Sequence, residues 1–235
     1  MNPKEKAIEK MNPSEYYKDL RWSTLNTPKY RHLWLILGWV GYLIMYTLTE
    51  LFIPEERCHI VHSAVDDLIP FNEYFILIYG SWYFFLVGSQ IYFLLFDTET
   101  FKRALIFLIA AQAIGILTII LWPSVQYLRP DHYPRDNLCT DLVRILQKTD
   151  TPTGVCPSEH VGFSLALLSA WWWKKDAKLA VKIIVTVWVF LICLSVMFVK
   201  QHSFTDVWAA FVMCALIEVV MDVVRGYRNG KKKMG

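Results

Sequence analysis

Two short runs, CPSEHVGF at residues 156–163 and KQHSFTDV at 200–207, hold ionisable side chains whose spacing could do chemistry. In the second, His202 and Asp206 are four apart, so on a helix both project from one face and can hydrogen-bond. A carboxylate on one imidazole nitrogen fixes the tautomer and leaves the other as a bare lone pair, a nucleophile or base with its orienter. Taken alone, the pair also fits a capped helix start in which His202 only stabilises a loop. In the first run, Pro157 suits the start of a helix, and Ser158 can cap it or offer its hydroxyl to a ligand. Backbone N–H groups at such a start form an anion site. His160, one turn in, would face that anion, although in isolation it reads as an interfacial histidine bonded to a carbonyl.

Cations complete the pattern. QYLRP at 126–130 supplies Arg129, YPRDN at 133–137 supplies Arg135, and Lys200 precedes His202. Three fixed cations around a pocket with a histidine on each side describe a phosphate site with a nucleophile and a general acid. Gln126, a turn before Arg129, adds a neutral donor. Each cation alone also fits snorkelling to lipid headgroups. Cys58, His59 and His62 are ligand-like residue types, but no partner cluster completes a metal site, and neither metal nor cofactor is expected.

Elements in a membrane must position these residues. The 235 residues are 55% hydrophobic, and the apolar residues fall in blocks rather than with amphipathic periodicity. A bilayer crossing needs about 20 residues. Blocks of suitable length lie at about 33–53, 74–96, 104–122, 179–199 and 204–224, with a shorter one at 157–173 that ends in three tryptophans. The reading is an all-α, polytopic membrane protein with six transmembrane helices. It comprises an N-terminal tail at 1–30, one membrane domain at 31–225 and a basic tail at 226–235.

Charge placement agrees. The N-terminal tail, the connectors at 97–103 and 174–178 and the C-terminal tail carry most of the lysines and arginines. With six spans all four lie on one side, which the positive-inside rule makes cytoplasmic. The acidic loop 54–73, the long loop 123–156 and a tight turn near 200–203 then share the opposite face, with the candidate site. Trp171–Trp173 followed by Lys174 and Lys175 read as an interfacial belt with its anchors. No cleavable signal peptide is visible before the first apolar block. The net charge of +3 reflects topology, and no nucleic-acid partner is expected. Lys232 and Lys233 sit as in a di-lysine retrieval signal, a pattern that basic tails also produce. Cys193 and Cys214 read as apolar fillers. A disulfide among Cys58, Cys139 and Cys156 is chemically allowed, with no pair singled out.

The combined pattern resembles the type 2 phosphatidic acid phosphatase superfamily of membrane lipid phosphatases, whose signatures are K-x6-RP, PSGH and SR-x5-H-x3-D. The counterparts are Arg129 and Pro130, then Pro157 to His160, then Ser195, His202 and Asp206. PS-x-HV and KQH-x3-DV are similar to the branch that includes inositol phosphorylceramide synthases and bacterial lipid phosphatases. Three positions depart from the signatures: Trp122 replaces the lysine, Val196 the arginine and Glu159 the glycine. Lys200 and Arg135 are the expected substitutes for the missing cations.

The resemblance implies a metal-independent lipid phosphate phosphatase of the bacterial plasma membrane, with both termini cytoplasmic. Arg129, Ser158 and Lys200 would hold phosphoryl oxygens, His202 with Asp206 would attack phosphorus, and His160 would protonate the leaving group. The partner is a lipid phosphate within the bilayer. A headgroup phosphotransferase with the same site is the alternative, followed by a non-catalytic lipid-binding or transport protein on the same scaffold.

Overall fold

The structure is a computed structural model that describes residues 12–234, with side chains through 227. Residues 1–11 of the expected N-terminal tail, Gly235, and the side chains of the C-terminal tail from 228 lie outside that description. Apolar segments without proline close their backbone hydrogen bonds internally, and the helix is how a single segment does so. The α-helices are α1 (Pro13–Tyr16), α2 (Leu37–Phe52), α3 (Ala64–Leu68), α4 (Phe75–Phe96), α5 (Thr98–Leu121), α6 (Leu138–Thr149), α7 (Glu159–Trp173), α8 (Leu179–Phe198) and α9 (Phe204–Met234).

Their ends follow from single residues. Asp97 stops α4 with an extended backbone and caps α5, accepting from Thr100 N at 2.9 Å and Thr100 Oγ1 at 2.7 Å. The same carboxylate accepts from Lys174 Nζ at 2.6 Å, tying the end of α7 to the α4–α5 corner. Lys174 is therefore buried in an ion pair rather than anchoring in the interface. Trp171 turns inward too, donating to Ser89 Oγ and stacking on Tyr92, and Trp172 alone of the three tryptophans is exposed.

Five helical segments are long and apolar enough to cross a membrane among the described residues: Arg31–Phe52, Phe75–Phe96, Thr98–Leu121, Leu179–Phe198 and Phe204–Tyr227. The expected sixth, α7, has 15 residues, about 22 Å at 1.5 Å per residue, against a hydrocarbon layer of about 30 Å. It is the central helix, packed against α4, α5, α8 and α9. Val161, Ala166 and Leu167 on it are fully buried, so truncating Leu167 to alanine would cost about 2–5 kcal/mol. Residues such as Phe84, Ile184 and Val219 are exposed on the outer faces of the bundle, as a lipid-facing surface requires.

At one end of the bundle, three connections are sewn together. β1 (His59–Ile60) pairs in parallel with β2 (Ser124–Val125), and Val125 also bridges Thr153. Asn72 N donates to Phe198 O at 2.9 Å, joining the first connection to the end of α8. The long stretch 123–156 contains α6, a helix absent from the sequence reading. Asn137 caps it by accepting from Thr140 N, and Val143 faces inward while Leu138 and Ile145 face out. All five cysteines are free.

Candidate active site

The site is built where α7 and α9 begin. Ser158 caps α7 through its hydroxyl, accepting from Val161 N, and its own N–H donates to Asp206 O at 3.1 Å. That backbone bond fastens the PSEH segment to the start of α9 and brings its histidine beside the other. The ring centroids of His160 and His202 are 5.6 Å apart with planes at 61°. His160 is wedged between aromatic neighbours, 4.3 Å from Trp82 and 4.7 Å from Tyr79. Trp82 Nε1 fixes its backbone by donating to His160 O at 3.1 Å. Packed between these rings, His160 Nε2 is buried without a hydrogen-bond partner among the described residues.

His202 sits on a tight turn. Val196 O accepts from both Gln201 N and His202 N, and Lys200 adopts a left-handed backbone with φ of 58°. His202 Nδ1 lies 3.5 Å from Asp206 Oδ2, ion-pair range but longer than a hydrogen bond. Asp206 is fully buried, and Oδ2 accepts from Ser203 N at 2.9 Å, while Oδ1 has no partner. The expected i, i+4 pair therefore exists in a relaxed form, with one carboxylate oxygen still uncommitted.

Arg129 reaches the same place from the second connection. Its Nη1 donates to Gln147 O at 2.9 Å, and its Nη2 donates to Thr151 O at 3.2 Å and Gln201 Oε1 at 2.9 Å. Nε is buried and has no hydrogen-bond partner among the described residues. Burial lowers the pKa of this guanidinium, and Asp150 opposes that shift.

The other expected anion-binding residues are bonded elsewhere. Lys200 Nζ donates to Asp66 O at 2.9 Å and Ile69 O at 2.5 Å, because the left-handed turn sends its side chain toward the first connection. Arg135 forms a fork with Glu73, Nε to Oε1 at 2.6 Å and Nη2 to Oε2 at 2.8 Å. Gln126 is fully buried, donating to Lys200 O and Gln201 O and accepting from Leu128 N. Ser158 Oγ is buried in its capping role. These four hold the loops that shape the site. Of the three signature positions with changed residues, Trp122 stacks on His59 at 5.1 Å, Val196 supplies the carbonyl of the His202 turn, and Glu159 lies at the cleft wall.

The cleft itself is lined by Tyr46, Asp150, Thr151, Thr153, Gly154, Val155, Glu159, His160, Gln201 and His202. Asp150, one residue past the end of α6, is the acidic member that sequence reasoning missed, along with Tyr46, Thr151, Thr153 and Gln201. Burial raises its pKa, against the opposing pull of His202 and Arg129. The sequence offered no signal for it beyond its place at the end of an amphipathic helix. Gly154 turns the wall with φ of 62°, a conformation that favours glycine. Glu159 points between α2 and α5: Tyr42 Oη donates to its Oε2, while Oε1 has no partner.

Two histidines, a buried aspartate and a guanidinium thus converge from all three recognised segments. Such a set can bind a phosphoryl group and pass a proton across it. Searches of curated proteins and of solved structures returned no match. The model of the PAP2 superfamily matches residues 103–229, more than half of the chain and every segment of the cleft from Arg129 to Asp206, so the chain belongs to that superfamily.

Proposed function

We propose that this protein is a lipid phosphate phosphatase that works through a phosphohistidine. The superfamily supports lipid phosphate chemistry of the phosphatase or phosphotransferase type. The observation that carries the finer reading is the facing pair His160–His202 with Asp206 behind the second ring. His202 Nε2 attacks phosphorus as the bond to the lipid oxygen breaks, and His160 gives that oxygen its proton. Water then attacks the phosphohistidine, loses its proton to His160, and inorganic phosphate leaves. Arg129 supplies the positive charge beside the phosphoryl oxygens, and Asp206 stabilises the imidazolium that forms on His202.

In this reading α7 completes six spans, both termini are cytoplasmic, and the cleft opens at the outer face of a bacterial plasma membrane. The basic connectors at 97–103 and 174–178 support that orientation. The test is phosphate release from phosphatidic acid, phosphatidylglycerol phosphate and undecaprenyl pyrophosphate by purified protein in EDTA. A His202→Ala variant that keeps full release sinks the mechanism.

A second reading has its own observation. Asp150 lines the cleft beside the histidines, and a carboxylate there suits a hydroxyl-bearing acceptor better than a bare phosphate dianion. In a phosphotransferase a lipid hydroxyl takes the place of water. Supplying a labelled phospholipid with ceramide or diacylglycerol distinguishes the two, since transfer yields a new lipid rather than free phosphate.

A further inference from the structure

We infer that Asp66 is a positioning residue for the His202–Asp206 pair, holding the hydrogen-bond donors at the start of α9 so that the Asp206 carboxylate stays beside His202. The inference rests on the proposed phosphoryl chemistry and concerns a residue far from the pair in sequence.

The first turn of any helix carries N–H groups with no partner inside the helix. In α9 the residue preceding the helix is Ser203 and the third residue within it is Asp206, an S-x-x-D capping arrangement. Asp206 Oδ2 already accepts from Ser203 N at 2.9 Å. Left to itself, the turn would draw the rest of that carboxylate toward Ser203 Oγ and Phe204 N. It does not, because another carboxylate takes both. Ser203 Oγ donates to Asp66 Oδ2 at 2.6 Å and Phe204 N donates to Asp66 Oδ1 at 2.7 Å. With its proton directed at Asp66, Ser203 Oγ turns a lone pair to Thr205 N at 3.1 Å. Asp206 Oδ1 accepts no such bond among the described residues, and the Cys156 thiol is the other group beside this carboxylate.

Asp66 is itself rigidly held. It lies in α3, is 3% exposed, and its Oδ2 also accepts from Ser63 N at 2.8 Å. Lys200 Nζ clasps the same strap through the carbonyls of Asp66 and Ile69. The side chain expected to bind phosphate thus fastens the strap to the histidine turn. Burying a carboxylate is costly unless donors surround it, and here the donors come from the turn that bears His202.

The test uses the full chain as wild type, Asp66→Asn, Ser203→Ala and the double variant. Phosphate release from phosphatidic acid in mixed micelles gives kcat and KM, and 51V NMR gives orthovanadate affinity. Asp66→Asn places an amide N–H where Ser63 N and Ser203 Oγ now donate. A buried hydrogen-bond set of this kind converts to about a 10- to 100-fold change. We expect kcat to fall by that factor with KM within about twofold, and the double variant to match Asp66→Asn, since one contact is removed twice. Should Asp66→Asn fail to fold, Ser203→Ala carries the test, with kcat reduced about three- to tenfold at constant KM. A wild-type kcat in whichever variant folds, or losses that simply multiply in the double variant, overturns the inference. If wild type releases no phosphate but binds vanadate, the hydrolysis reading fails alone, and vanadate affinity decides: about tenfold weaker in Asp66→Asn supports the clamp, equal affinity overturns it. Wild-type protein that neither hydrolyses the lipid nor binds vanadate overturns both readings.

Discussion

The imidazoles of His160 and His202 stand edge to face with 5.6 Å between centroids, and each keeps a buried ring nitrogen, Nε2 of His160 and Nδ1 of His202, without a hydrogen-bond partner among the described residues. Buried polar atoms without partners are rare in folded proteins and call for an explanation. Here the two unsatisfied atoms belong to the two groups that phosphoryl transfer would use, and a third, Asp206 Oδ1, belongs to the carboxylate behind them.

This arrangement predicts that His202→Ala and His160→Ala each lower phosphate release by about 1,000-fold or more, with Asp206→Asn close behind. The double histidine variant should be little worse than either single one, because residues that act as a unit are not additive. One histidine must be neutral to attack while the other is protonated to donate. A bell-shaped profile of kcat/KM against pH is therefore expected, and each histidine variant should lose one limb. Flat profiles across pH 5–9 in the wild type would contradict the assignment.

The arginines should behave differently from one another. Arg129→Lys loses the fork that serves Gln147 O, Thr151 O and Gln201 Oε1 together, and about 10- to 100-fold in kcat/KM should go with it. Arg135→Ala should leave kcat unchanged and lower stability instead, because it strands the fully buried Glu73. Hydrogen bonds from Arg135 hold the Glu73 carboxyl at about 2, below its ordinary 4.5. A depressed carboxylate pKa contributes stability above the unfolded value, lost as pH falls through the folded one. The difference in melting temperature between wild type and Arg135→Ala should therefore be full above about pH 5 and shrink toward pH 2. A gap that stays constant across that range would show that the pair is not its cause.

Much of this site was legible because its chemistry is local. His202 and Asp206 announce themselves by spacing, and Pro157, Ser158 and His160 by their place at the start of an apolar run. The cations were harder, since a charge shows its partner only in three dimensions. Arg135 and Lys200 fit a phosphate in sequence, yet one meets a glutamate 62 positions earlier and the other two carbonyls of the first connection. The central helix was the weakest block by length because burial by four neighbours relieves it of spanning the bilayer alone. α6 was missed although Leu138, Leu142, Ile145 and Leu146 carry a helical period, since a long polar connection drew attention to its ends.

Asp150 gives a prediction with the opposite sign to Glu73. Burial raises its pKa, so the folded state holds a proton more tightly than the unfolded chain. Such a group costs stability once ionised, and the cost appears as pH rises from the unfolded value of 3.8. Asp150→Asn should therefore melt above the wild type at pH 7–8, with the difference closing as pH falls toward 4. It should also bind inorganic phosphate more tightly, because a negative charge near His202 and Arg129 is gone. Thermal melts across pH and 31P NMR titration check both. A variant less stable than wild type at pH 8 would show that Asp150 is held by its neighbours rather than strained by them.

Glu159 occupies the position where the family pattern has glycine, and its environment predicts what restoring that glycine does. Its Oε2 accepts from Tyr42 Oη, and its Oε1 would lie 3.1 Å from a Cβ placed on Gly115. Glu159→Gly removes the acceptor and leaves the half-buried Tyr42 hydroxyl without this partner, which should cost about 1 kcal/mol. Glu159→Gln keeps the acceptor and the volume, and should melt near the wild type. Gly115→Ala crowds the carboxylate in the wild-type background, but in Glu159→Gly it fills vacated space. The two changes should therefore be less damaging together than the sum of their single effects, a coupling that a double-mutant cycle in thermal melts reads directly. Additive losses would mean that α5 and α7 adjust independently at this contact. Because the side chain is directed at Tyr42, phosphate release by Glu159→Gly should stay within about tenfold of wild type. A changed order of preference among phosphatidic acid, phosphatidylglycerol phosphate and undecaprenyl pyrophosphate would instead assign Glu159 a part in choosing the lipid.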